Sequence, residues 1–275
     1  MTEPNLFAQR TCRLACGRAL CWREAGSGTP LLMLHGWAMS SAVFSEIASL
    51  LGRNYRVLCP DLPGHGASDP LPEFSLCAMV EHLSSWMAQL ALPATAVLGW
   101  SFGGQLALEM ALQCPEQVQS LLLVSTTPKF CQSADWPHGL PQTQLRLLGR
   151  NLERAYEKSL GDFFQLQFVG EELSRERLRE ILHFAVRTAA LPEPQTARET
   201  LALLGVSDLR NRLGAIQQPT RIFHGDLDQI IPLGAGRFLA EQIPGASICT
   251  LPGIGHAPFL SAPEQLASQW NDFLR

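Results

Sequence analysis

Val97-Leu98-Gly99-Trp100-Ser101-Phe102-Gly103-Gly104 is the stretch that decides the fold of this chain. Val97 and Leu98 close a short apolar run, Ser101 stands between glycines in G-x-S-x-G spacing, and Gln105 to Leu112 continues as an apolar helix pattern. A serine on so sharp a strand-to-helix turn needs neighbours without Cβ atoms, because strand and helix approach closely around it. The turn lifts the Ser101 hydroxyl above the strand and leaves the N–H of Phe102 at a helix N-terminus, where negative charge is favoured. The pattern predicts a nucleophile at Ser101, with Phe102 offering one amide to an oxyanion. An ordinary strand-to-helix turn is the plain alternative, and the flanking strand and helix weigh against it.

Similar apolar or β-branched runs recur at Leu31–Leu34, Arg56–Cys59, Ala96–Leu98, Leu121–Val124, Arg221–Phe223 and Ile248–Leu251. Strands without polar alternation are buried on both faces, as in a parallel sheet covered by helices. Ala42–Leu51 and Leu76–Leu90 read as crossover helices. The alternation predicts an α/β fold with a mostly parallel central sheet and helices on both faces. The rhythm stops between Thr126 and Asp208, where Pro128, Pro137 and Pro141 precede two or three amphipathic helix patterns with no clear strand. The expected organisation is a first core part, 1–125, a helical lid inserted at 126–206, and a second core part, 207–275.

A serine hydroxyl needs a base, and the base needs an orienting acid. His256, in the Gly-rich loop Pro252-Gly253-Ile254-Gly255-His256 after the final expected strand, is the candidate base. Asp226 and Asp228 both follow the strand at Arg221–Phe223; Asp228, just ahead of Ile230-Ile231-Pro232, is the favoured acid, and Asp226 is left to brace the loop. Ser101, Asp228 and His256 then run in the chain order of the α/β-hydrolases, which the chain resembles. Leu34-His35-Gly36-Trp37 follows an early strand and offers the Trp37 N–H as the second oxyanion donor. His35 is expected to be a structural hydrogen-bonding residue of that loop. Asp61-Leu62-Pro63-Gly64-His65-Gly66-Ala67-Ser68 is expected to shape the loop beside the site, with His65 outside the chemistry.

The chain has 275 residues, 46% hydrophobic and 17% charged, with a net charge of −4, which suits a globular protein with a large interior and argues against general nucleic-acid or anionic-membrane binding. Met1–Gly28 lacks a basic-then-apolar leader pattern, and no apolar run approaches the roughly 20 residues that span a bilayer. Eight scattered cysteines without a leader suggest a reducing, cytoplasmic setting; Cys59 and Cys249 are expected in core strands, and Cys12, Cys16 and Cys21 lack metal-binding spacing.

Residues 30 to the end carry a narrower likeness. Leu34-His35-Gly36-Trp37, Leu98 to Gly104, Ser125-Thr126-Thr127-Pro128-Lys129-Phe130, Asp135-Trp136-Pro137, Phe163-Phe164-Gln165-Leu166-Gln167 and Gly255-His256-Ala257-Pro258-Phe259 resemble the pimeloyl-acyl carrier protein methyl ester esterases of biotin synthesis. The resemblance implies a serine carboxylesterase that frees the carboxyl of a pimeloyl chain borne by acyl carrier protein, without metal or organic cofactor, and acting as a monomer. It carries over Ser101, Asp228 and His256 as the triad and Trp37 and Phe102 as oxyanion donors. It also sets Trp37, Trp100 and Phe163 against the acyl chain, with core packing as the alternative for Trp100 and Phe163.

Such a carrier is strongly acidic, so a local basic surface is expected. Arg146, Arg150, Arg154 and Lys158 recur every four residues, the spacing of one helix face, and Arg175, Arg177 and Arg179 follow Ser174, a candidate N-cap. By the likeness, Lys158, Arg175 and Arg179 are the docking candidates, although Asp162 stands where another basic residue is expected. Interleaved glutamates allow a plain solvated face instead. A general short-chain carboxylesterase or lactonase, and a non-catalytic ligand-binding relative, are the competing functions.

Overall fold

The computed structural model describes residues 7–183 and 190–275. Of the expected segments, 1–125 and 126–206 thus each include residues outside the described part, as does the start of the stretch read for a leader.

The apolar runs form a sheet of eight described strands: β1 (Ala8–Arg13), β2 (Ala19–Ala25), β3 (Thr29–Leu34), β4 (Tyr55–Pro60), β5 (Thr95–Trp100), β6 (Val118–Val124), β7 (Thr220–Gly225) and β8 (Ser247–Leu251), in the order β1-β2-β4-β3-β5-β6-β7-β8. From β4 onward across the sheet every pairing is parallel. Two apolar clusters cover its faces. One holds Leu83 and Trp86 of α2 (Leu76–Gln89) and Leu106 and Met110 of α3 (Phe102–Gln113), and the other Ile47 of α1 (Ser45–Leu51). Ala42–Leu51, read as one helix, is a 3-10 turn over Ser41–Phe44 followed by α1.

The hairpin β1–β2 carries no apolar run in β1 (AQRTCR) and escaped the sequence reading. Backbone pairing from Ala8↔Glu24 to Arg13↔Ala19 holds it on β2, and Glu24 binds Arg10 and Arg56 on the two sides. Such an edge strand is defined by its ladder, not by burial. Cys59 is buried as expected, whereas Cys249 is only half-buried, because β8 lies at the other sheet edge.

Between β6 and β7 the described residues form α4 (Gln142–Arg154), α5 (Tyr156–Leu166), α6 (Arg175–Leu182) and α7 (Pro194–Val206). The other α-helices among the described residues are α8 (Leu233–Gln242), α9 (Pro258–Ser261) and α10 (Pro263–Leu274). No described helix is long and apolar enough to cross a membrane.

Strand order reverses between β3 and β5: the chain leaves β3 for β4 on one side, then crosses back to place β5 on the other. Loops leaving the carboxyl ends of two such strands diverge and open a crevice, the general ligand position of this class of sheet. Leu34 pairs with Gly99, so Trp37 and Phe102, each three residues further along, emerge at the same level on either side of that crevice.

Candidate active site

Ser101 follows β5 with φ 55 and ψ −117, a strained conformation for a residue with a side chain. Its N–H donates to the Val124 carbonyl (3.0 Å), and its own carbonyl accepts from Gly104 N (2.9 Å) and Thr126 Oγ1 (2.7 Å). A Cβ at Gly99 would stand 2.4 Å from the Gly103 carbonyl oxygen, and one at Gly103 would stand 2.1 Å from that of Leu34. These backbone contacts are what hold the turn in its strained state, and they explain both glycines of the motif.

The structure brings Ser101, His256 and Asp228 together from three separate loops. His256 Nε2 lies 2.9 Å from Ser101 Oγ, and its Nδ1 lies 2.7 Å from Asp228 Oδ2. An ionised carboxylate can only accept, so the Nδ1–H donates to Asp228, and Nε2 is left to accept the serine proton. Asp228 Oδ1 accepts from the amides of Ile230 (2.8 Å) and Ile231 (2.9 Å). Burial acts to raise the Asp228 pKa, but His256 and the hydrogen bonds from His224 and His256 outweigh it and hold the carboxyl well below its ordinary value. Asp226 does not reach His256; it accepts the Gly253 N–H at 2.7 Å and braces the loop.

Two contacts at this site were not visible in sequence. His224 Nε2 lies 3.4 Å from Asp228 Oδ2 while donating to the Ile231 carbonyl (2.9 Å). Trp100 Nε1 donates to the His256 carbonyl at 2.8 Å, and the indole packs edge-on against Phe259 at 5.0 Å. Trp100 was expected to touch an acyl chain; it is 1% exposed and its indole N–H holds the His256 carbonyl, the core-packing alternative for this residue. The pleat explains the burial, since successive strand residues point to opposite sides of the sheet.

Neither Trp37 N–H nor Phe102 N–H donates to a protein acceptor among the described residues. The Trp37 indole is fixed by its own bond to the Ala197 carbonyl (3.0 Å) and by edge-on contact with Phe163, centroids 5.1 Å apart. Phe163 also lines a cavity of about 420 Å³ with Leu148, Leu166 and Ile230, and Ile230 is bonded through its amide to Asp228.

The loop of Trp37 is braced by two buried imidazoles. His35 Nε2 accepts the Leu62 N–H (2.9 Å), which puts its proton on Nδ1, donating to the Gly36 carbonyl (2.9 Å). His65 packs on His35 at 5.5 Å and bonds the Pro63 carbonyl. Asp61 accepts from the amides of Ser41 and Ala67, closing the turn as expected. Burial lowers His35 to about 4 and His65 to about 3. The unfolded chain therefore binds protons at these positions below about pH 6.5 while the native protein does not, so stability falls as pH drops from there toward the folded values. At 1.36 kcal/mol per unit, His35 alone accounts for about 3 kcal/mol. Urea unfolding at about pH 7 and about pH 4.5 should show a markedly lower midpoint in acid; an unchanged midpoint would mean the native imidazoles charge freely.

The candidate docking cations are spread over separate elements. Arg146, Arg150 and Arg154 share α4, but the helix stops at Ala155 (φ −152, ψ 71), and Lys158 belongs to α5. The expected single face of four cations is thus broken, and Lys158 is paired with Asp162 at 2.5 Å. Arg175 and Arg179 are exposed one turn apart on α6, capped by Ser174 as expected. Arg177 points inward, binding Glu46 (2.6 Å) and the Leu260 carbonyl (2.7 Å).

Residues 29–263 match the alpha/beta hydrolase fold family. The chain is 41% identical over 244 residues to a pimeloyl-acyl carrier protein methyl ester esterase of Nitrosomonas europaea, covering 88% of this chain and 94% of the relative. A second protein of that name, from Chromobacterium violaceum, is 39% identical over 238 residues, covering 86% and 90% of the two chains. An esterase of known structure from Exiguobacterium antarcticum superposes with a TM-score of 0.88 at 25% identity, covering 96% of this chain and 98% of its own. The strained serine elbow, the switch-point crevice and these likenesses agree, and the chain belongs to the alpha/beta hydrolase fold family and, within it, to the pimeloyl-acyl carrier protein methyl ester esterases, which makes it a carboxylic ester hydrolase.

Proposed function

We propose that this protein hydrolyses the methyl ester of pimeloyl-acyl carrier protein in biotin precursor synthesis, through an acyl-enzyme on Ser101. The observation that carries the chemistry is the continuous hydrogen-bonded chain from Ser101 Oγ through His256 to Asp228. The substrate rests on the likeness to two relatives named for that activity, at 41% and 39% identity.

Ser101 Oγ attacks the ester carbonyl as its proton passes to His256 Nε2, and the imidazolium is stabilised by Asp228. The carbonyl oxygen, now negative, accepts the N–H groups of Trp37 and Phe102, whose lack of a protein acceptor leaves them ready for that charge. Collapse breaks the bond to the methoxy oxygen, which leaves as methanol with the proton from His256. Water, deprotonated by His256, then attacks the acyl-enzyme, and its collapse releases the free acid and restores the Ser101 hydroxyl. The cavity beside Phe163, walled by Leu147, Leu148, Leu166 and Ile230, suits a methylene chain and offers no cation among its described lining to retain the carboxylate product. The insert 126–206 serves as the lid over that chain, and Arg175 and Arg179 serve as docking cations for the acidic carrier, with Lys158 weakened in that role by its pairing to Asp162.

Comparing kcat/KM for the carrier-bound methyl ester with that for a free short-chain aryl ester tests this reading. The expected result is a strong preference for the carrier-bound ester, lost in Arg175→Glu plus Arg179→Glu while aryl-ester turnover survives. Equal turnover of both, unaffected by charge reversal, would leave a general carboxylesterase.

A further inference from the structure

The hydrogen bonds of the His256 loop do not all come from the core. The chain leaving α5 turns beneath this loop, and the Gln167 carbonyl accepts the His256 N–H at 2.9 Å. Four residues on, Glu171 Oε1 accepts the Gly255 N–H at 2.8 Å. Two consecutive amides at the candidate base are therefore held by one short segment of the insert between β6 and β7. The fit is tight: a Cβ at Gly255 would stand 2.2 Å from the Gln167 carbonyl oxygen and 2.7 Å from Glu171 Oε1. On the far side the His256 carbonyl is held by Trp100. The peptide planes around the imidazole are thus fixed from both directions.

We propose that Glu171 is a positioning residue for the ester hydrolysis, holding the Gly255–His256 backbone so that Nε2 stays aligned on Ser101, and thereby making alignment of the base depend on docking of the insert. The inference rests on the reading of Ser101 and His256 as nucleophile and base. Glu171 touches no reacting atom. It is a costly residue to keep there, since burial and the nearby Asp228 carboxylate raise its pKa and outweigh the hydrogen bonds from Ser261 and the Gly255 N–H that lower it. A side chain needed only to tie down a loop could do so without that carboxylate beside Asp228.

The test uses three variants of the full chain, assayed on a small aryl ester and by the second-order rate of fluorophosphonate labelling, with Ser101→Ala as control. Glu171→Ala withdraws the acceptor, Glu171→Asp keeps the charge but shortens the reach, and Glu171→Gln keeps the acceptor without the charge. A displaced base costs rate and leaves ester binding largely alone, so Ala and Asp should lose roughly tenfold to a hundredfold in kcat and in labelling rate, with KM within about twofold. Gln should recover to within about threefold of the parent. If Glu171→Ala does not fold, the Asp and Gln pair makes the same comparison. Parental kcat and labelling rate in Glu171→Asp would overturn the proposal, as would a loss confined to KM or to thermal stability. Failure of Ser101→Ala to abolish labelling would instead overturn the nucleophile assignment, independently of Glu171.

Discussion

Replacing Ser101 by alanine is expected to lower ester hydrolysis by about a millionfold while leaving the protein folded. The size follows from the hydrogen-bonded chain: without Oγ, His256 and Asp228 have no proton to move and nothing to activate. The side chain has one described hydrogen-bond partner, His256 Nε2, so the substitution removes a single bond and leaves only that ring nitrogen without its partner. A second consequence separates chemistry from stability. Residue 101 holds φ 55, a conformation that costs of order 1–3 kcal/mol for a residue with a Cβ. Ser101→Ala retains that strain, whereas Ser101→Gly relieves it, offset by about 0.5–1 kcal/mol of extra unfolded-state freedom. Ser101→Gly should therefore be as inactive as Ser101→Ala yet melt a few degrees higher, at about 2–4 °C per kcal/mol for a chain of this size. Calorimetry with an ester assay reads both. Residual activity above roughly one per cent in the alanine variant would move the nucleophile elsewhere.

Asp228→Asn should cost about ten-thousandfold at neutral pH, with much smaller damage to the fold. The amide oxygen can take over the two bonds from the Ile230 and Ile231 amides now made by Oδ1. The amide nitrogen then faces His256 Nδ1, at the position from which Oδ2 accepts at 2.7 Å. A donor there forces Nδ1 to accept, and the neutral ring must carry its proton on Nε2, where it cannot take the serine proton. Asp226→Ala is the paired control. Among the described residues the Asp226 side chain receives only the Gly253 N–H, so its loss should leave kcat within a few-fold. Equal losses in the two variants would mean that the loop as a whole, and not one carboxylate, supports the base.

Much of the central sheet was legible because its strands are short apolar runs, and burial on both faces leaves an unbroken signal. The hairpin β1–β2 was not, since the polar β1 gains its place from backbone pairing along a sheet edge. The break between α4 and α5 was also hidden: a four-residue spacing from Arg146 to Lys158 continues through Ala155, although the chain there leaves helical dihedrals. Arg175, Arg177 and Arg179 read alike in sequence, yet Arg177 turns inward to Glu46 and the Leu260 carbonyl. Periodicity says which residues share a face but not which face meets the core.

The sequence by itself determined the serine elbow, the order of the three polar residues and the family, because glycine spacing and strand-end position are local constraints that any fold must obey. It ranked Asp228 above Asp226 without excluding either. Only the tertiary structure decided that Asp228 meets His256, that the Trp100 indole holds the His256 carbonyl, and that Gln167 and Glu171 hold the His256 loop from the insert. Those contacts join residues 28 to 156 positions apart, and their geometry depends on how separate loops are carried to one end of the sheet. No local pattern encodes that distance, which is set by strand order, register and packing acting together.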